Sequence, residues 1–140
     1  MAIAANMQDM MQWQFKQTAD QINRDFEHRY QTLGKKSVEF DPANEYIFSQ
    51  TASQQKVPAK RVVVFRRQVE YDEVDYGYEW EDVANWVSSS ECAKWCIENA
   101  AVPLRLIYEQ NHERMSWNIA VLAYFEPKVL TAYLLKWKEQ

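Results

Sequence analysis

Apolar residues recur at three-, four- and seven-residue steps over the first quarter of the chain. Met7, Met11, Phe15, Ile22, Phe26, Tyr30 and Leu33 share one helical face, while Gln8, Gln12, Lys16, Asp20, Arg24 and Glu27 fall largely elsewhere. The spacing predicts a long N-terminal amphipathic helix over residues 5–33. Gly34 follows directly and suits the left-handed conformation that ends a helix. From 35 to 60 the pattern turns polar and is punctuated by Pro42 and Pro58. Only Glu45-Tyr46-Ile47-Phe48 has the makings of a short strand there, so the stretch reads as a surface loop or linker.

Arg61 to Val69 is a β-branched run bounded by charge, which predicts a strand. The acidic and aromatic stretch from Glu70 to Asp82 either extends that strand or forms a hairpin around Gly77, and the pattern leaves both open. A short helical turn is expected over 82–87. Ser88 and Glu91 have capping-box spacing and predict a helix over 88–100 with Cys92, Ala93, Cys96, Ile97 and Ala100 on one face. Residues 103–109 and 116–125 read as strands joined by a polar turn at 110–114, an antiparallel hairpin. Pro127 stands at a helix-starting position, and Val129, Leu130, Tyr133, Leu134 and Trp137 form the apolar face of the last helix.

Strand, helix, strand, strand, helix suits a small antiparallel sheet covered by helices, an α+β fold. The order is close to the ferredoxin-like split β-α-β-β-α arrangement, with one strand missing or supplied by the acidic stretch. The expected organisation is a single domain over 1–140: the N-terminal helix at 5–33, a loop or linker at 35–60 and an α+β core at 61–140. The N-terminal helix either lies across this core or docks on another subunit.

Composition narrows the picture. A hydrophobic share of 47% with 14% aromatic residues is too high for a disordered chain. Only two Gly argue against an all-β sandwich with many tight turns. No stretch approaches the roughly 20 apolar residues of a membrane span. The N-terminus lacks the basic and apolar regions of a secretory signal. Two cysteines fit a reducing compartment, so a cytoplasmic location is expected, the host cytoplasm if the protein is viral. A net charge of −4 argues against non-specific nucleic-acid binding.

Candidate chemistry is sparse. Cys92 and Cys96 stand one helical turn apart, but His28 and His112 lie on distant polar segments without ligand spacing, so packing thiols are expected in place of a metal site. Either histidine is of a residue type that serves as a general base, yet no partner nucleophile is identifiable, and two glycines make no phosphate cradle. No enzyme activity and no cofactor are expected. Lys56, Lys60, Arg61, Arg66 and Arg67 flank a strand bearing Phe65, the ingredients of a single-strand nucleic-acid surface, although the RNP-type run of Gly and aromatics is missing.

The most unusual feature is acidic and aromatic at once. Glu70, Tyr71, Asp72, Glu73, Asp75, Tyr76, Tyr78, Glu79 and Trp80 interleave carboxylates with rings and contain no base. Tyr and Trp are favoured at interfaces, and clustered carboxylates steer a surface toward a basic protein partner. The competing reading is a solvated strand edge with its rings turned inward. The Met-rich start, with Met7, Met10 and Met11, reads either as core or as a self-association surface for a homo-oligomer.

The stretch from Trp117 to Glu126, followed by Thr131-Ala132-Tyr133-Leu134-Leu135-Lys136-Trp137 and preceded by the helix around Cys92-Ala93-Lys94-Trp95-Cys96, resembles small uncharacterised proteins of tailed bacteriophages over residues 88–138. Those proteins close with a strand, Phe plus an acid, and an Ala-Thr helix ending in Leu-Lys/Arg-Trp. Here the order Thr131-Ala132 is reversed and the hairpin is longer. The resemblance is a packing signature that implies a viral origin and transfers no functional residue. The expected function is a phage-type accessory protein that binds another protein, with inhibition of a host system as its candidate role. The alternatives are a virion assembly component that oligomerises and a nucleic-acid-binding module.

Overall fold

The computed structural model describes residues 2–35, 39–50, 56–70 and 78–137, with side chains in the first helix from Phe15 onward. Among the described residues there are four helices and four strands, an α+β fold. They are α1 (Ala2–Thr32), β1 (Tyr46–Gln50), β2 (Lys56–Glu70), α2 (Tyr78–Ser89), α3 (Glu91–Asn99), β3 (Arg105–Asn111), β4 (Ser116–Phe125) and α4 (Pro127–Trp137). The strands form one sheet in the order β1-β2-β4-β3, every neighbouring pair antiparallel.

Alternation along β4 places the core. Trp117, Ile119, Val121, Ala123 and Phe125 point to one face and are all buried there beneath the helices. Residues directly opposite share that face: Val62, Phe65, Arg67 and Val69 on β2, Leu106 and Tyr108 on β3. A smaller cluster of Ala59, Val102 and Tyr124, backed by Phe40 and Ile47, closes one end of the other face. The Tyr124 hydroxyl donates to the carbonyls of Asn44 and Asp41, which fixes the strand-free approach to β1.

Helix α1 is held along β3 and the chain just before it at three points. Phe15 stacks on Trp117 at 4.5 Å and meets Tyr108 at 5.0 Å. Asn23 bonds the backbone of Leu106 twice, accepting from its N–H at 2.6 Å and donating to its carbonyl at 3.0 Å. The Tyr30 hydroxyl donates to the Ala101 carbonyl at 2.8 Å. Fifteen residues of helix rise about 22 Å, and seven residues of extended chain cover about 23 Å. The stretch of helix from Phe15 to Tyr30 therefore spans residues 101–108 and runs antiparallel to them. Gly34, at φ +79°, takes the left-handed position after this helix, but Leu33 is exposed and does not extend the buried stripe.

Several sequence expectations are corrected. The 35–60 segment supplies an edge strand, β1, so the sheet's fourth strand comes from before β2 and not from the acidic stretch, whose described part, from Tyr78, is helical. β2 begins at Lys56 and runs through Pro58. The Arg61 N–H bonds Glu45 on the β1 side at 2.8 Å, so alternation turns Pro58 the other way, beyond the last β4 pairing at Lys60. Its missing N–H therefore costs no ladder bond. The predicted turn over 82–87 is a full helix, α2. The cap of α3 is Ser90, whose hydroxyl accepts from Ala93 N–H at 3.2 Å, while Ser88 turns back to the Ala84 carbonyl. Three consecutive serines weaken the helix at this point, since their hydroxyls compete for backbone groups. Ser90 alone adopts the extended conformation that separates the two helices.

Candidate functional site

The acidic-aromatic segment is anchored at both ends. Val69, one residue before it, and Val83, just after it, are wholly buried. Residues 71–77 lie outside the described part, so Tyr71, Asp72, Glu73, Asp75 and Tyr76 have no position to compare with expectation, and the side chains of Tyr78 and Glu79 lie outside it too. Glu70 and Glu81 are exposed. Trp80 is half-buried and sits on Phe15 at 4.6 Å, so its ring is committed to the core and less of it is offered to another molecule. Asp82 pairs with Arg67 at 2.7 Å. The first contact ties α2 to α1 and the second ties it to β2, so together they fix where the segment ends.

The cationic run around β2 is divided by the pleat. Arg61 and Arg66 point to the sheet face away from the helices, whereas Lys60 and Arg67 point to the helix side. Arg61 donates to the Pro42 carbonyl at 2.7 Å and Arg67 is held by Asp82. The residues that the sequence lines up as one strip therefore do not make one patch. Strand periodicity was the signal for this split, since neighbours along a strand face opposite ways.

Cys96 is buried and Cys92 half-buried, on one face of α3. Burial, with Cys92 beside it, pushes the Cys96 thiol far above its usual range. Burial also raises Cys92, and its hydrogen bond with Cys96 offsets part of that. Protonated thiols pack well and make poor nucleophiles or metal ligands. Among the described residues no group of three or more His, Cys, Asp or Glu is placed to hold a metal ion. His28 and His112 are both exposed. No helix among the described residues is long and apolar enough to cross a membrane.

Two open cavities flank the sheet among the described residues. One, of about 670 Å³, lies where α1 meets the start of β3 and is lined by Glu27, Glu39 and Asp41 with Arg105. The other, of about 800 Å³, lies against β2 where β1 has ended, between the α2–α3 junction and α4. Its walls are mostly apolar. Nothing in the linear sequence marks it, because it is made where a neighbouring strand stops. Asn23 was likewise missed: on a helical wheel it is one more polar residue, and its role depends on which strand edge the helix meets.

No protein-family model matches the chain, and no curated protein or solved structure matches it either.

Proposed function

We propose that this chain is a small phage-type accessory protein acting in the host cytoplasm by binding another protein, with a host system as the candidate target of inhibition. The contact surface is the segment from Glu70 to Glu79, and its carboxylates select a basic partner. The observation that supports this reading is the exposure of Glu70 at the start of the segment and of Glu81 just past its end, while Val69 and Val83 hold the flanking chain in the core. A short acidic stretch between two fixed points has less conformational freedom to lose on binding than a free tail. Trp80 serves this surface as an anchor, not as a contact. The ferredoxin-like split order belongs to the same reading: β2, the α2–α3 pair, β3, β4 and α4 follow one another with β4 between β2 and β3.

The test is charge reversal. Asp72→Lys, Glu73→Lys and Asp75→Lys together should remove the partner recovered by affinity purification from host lysate while circular dichroism stays unchanged. Undiminished recovery would reject the acidic surface. The assembly-component reading predicts self-association, and a strict monomer by light scattering at tens of micromolar removes it. A nucleic-acid module would shift single-stranded oligonucleotides at low salt. The division of the β2 cations between two faces argues against that outcome.

A further inference from the structure

We propose that the free edge of β2, from Val63 to Glu70, is a second binding site that takes an extended peptide segment of a partner protein as an added strand. This site is separate from the acidic segment and does not depend on it.

β1 pairs with β2 only as far as Tyr46 opposite Lys60, with one more bond from Arg61 N–H to the Glu45 carbonyl. Beyond Arg61, no described residue pairs with β2 on that side, although its other side stays paired with β4 to Glu70. Alternation from Arg61, corrected for the bulge between Val63 and Phe65, turns the backbone of Val63, Arg66, Gln68 and Glu70 toward the open edge. From Arg66 to Glu70 these N–H and carbonyl groups have the two-residue spacing that an extended chain meets, with Val63 set off from them by the bulge. An added strand would continue the line of β1.

Space for that strand is present. The cavity of about 800 Å³ is lined by Val62 and Phe65 from one face of β2 and by Val63 and Arg66 from the other, so it lies beside the strand and not over one face. On the helix side it meets Trp86 and Cys92, then Tyr133, Leu134 and Trp137 of α4. Helix α4 has no fully buried residue, and Leu134 is 44% exposed. The indole N–H of Trp137 is buried with no acceptor among the described residues. A peptide carbonyl is the kind of group it lacks.

The same walls specify the occupant. Side chains of an added strand that face the helices would meet Trp86, Tyr133 and Leu134, so they must be apolar. Those facing the other way would lie beside Arg66, which is exposed and has no ion pair among the described residues, so acidic side chains fit. Apolar and acidic residues in alternation therefore describe the ligand. A second copy of this chain suits the edge less well. Antiparallel pairing about Arg66 would set that residue opposite the Arg66 of the copy, and like charges directly opposite are destabilising.

The experiment uses the full chain and a fluorescein-labelled, end-capped octapeptide of alternating valine and glutamate. Controls replace glutamate by lysine or place a central proline. Fluorescence anisotropy should show binding of the glutamate peptide that is at least about ten-fold tighter than either control. Arg66→Glu should weaken it about ten-fold and favour the lysine peptide, and Leu134→Asp should weaken both. Each is an exposed position, so native circular dichroism is expected for both variants. Amide exchange supplies the signature of strand addition: the bound peptide should protect Val63, Arg66, Gln68 and Glu70, whereas Val62, Arg67 and Val69 are already slow. Equal binding of the proline peptide, indifference to Arg66→Glu, or no protection at the four outward amides would overturn the proposal. A dimer in light scattering that the peptide does not compete with would assign the edge to a second copy instead.

Discussion

Along the outer side of β3, the backbone of Leu106 meets the side-chain amide of Asn23, Phe15 holds α1 against Tyr108 of the same strand, and Tyr30 holds it to Ala101 before the strand begins. Along the outer side of β2, β1 covers only the first residues, and from Val63 onward an apolar cavity stands where a neighbour would be. β3 is an edge strand along its whole length, whereas β2 becomes an edge only past its pairing with β1; among the described residues Asn23 meets the first at Leu106 and nothing pairs with the second. A carboxamide closes an edge because it offers an acceptor and a donor side by side, the same pair that a neighbouring strand presents. At Leu106 the β3 edge is closed to further pairing. The other keeps its bulge and its arginines, devices that discourage indiscriminate pairing while leaving room for a selected partner.

The comparison breaks hardest at Phe15. Phe15→Ala removes a ring that touches Trp80, Tyr108 and Trp117 and is 1% exposed. A loss of about 3–5 kcal/mol in urea unfolding is expected, the range for a buried Phe replaced by Ala. A loss below about 1 kcal/mol would mean that α1 does not seal the β3 edge. Asn23→Leu should be milder, at about 1–3 kcal/mol, because it leaves one buried donor and one acceptor unmet. Its diagnostic is local: Leu106 amide exchange should accelerate to the rate of the outward amides of β2, making the two edges alike.

Smaller still is an alkaline effect on the α3–α4 side of the open edge. Burial raises the Tyr133 hydroxyl to about 12 and lifts both Cys92 and Cys96. For groups raised on folding, the stabilising neutral form is fully retained below the unfolded values of 9.0 and 10.0. That stability is lost as pH climbs through the folded values. The thermal midpoint should thus hold steady to about pH 9 and then decline toward pH 12. Tyr133→Phe should flatten part of that decline. The least effect belongs to Asp82→Asn. Its ion pair with Arg67 is half exposed, so a loss of at most about 1 kcal/mol is expected, shrinking with added salt.

Much of the skeleton was legible before any coordinates. Gly34 after the first helix, Pro127 at the start of α4 and the antiparallel pairing of 103–109 with 116–125 all rest on local rules: backbone freedom, a missing N–H and period-two alternation. Boundaries slipped where local signals competed. Three serines in a row offered three caps, and Pro58 concealed five residues of strand, 56–60, because its orientation beyond the last β4 pairing was invisible in sequence. The candidate site was less legible. Trp80 looked like part of a contact surface because its neighbours are acidic, and only the position of Phe15 turned it inward.

The chain by itself determined which segments are helical or extended and which faces are apolar, because those follow from steric preference and from the periods of side-chain direction. Only the tertiary structure decided which edge is closed and which is open. An edge is a relation between elements far apart in sequence, such as Asn23 with Leu106 or Tyr46 with Lys60. Whether a backbone donor finds its acceptor depends on where the neighbouring element ends, a length that no local pattern records.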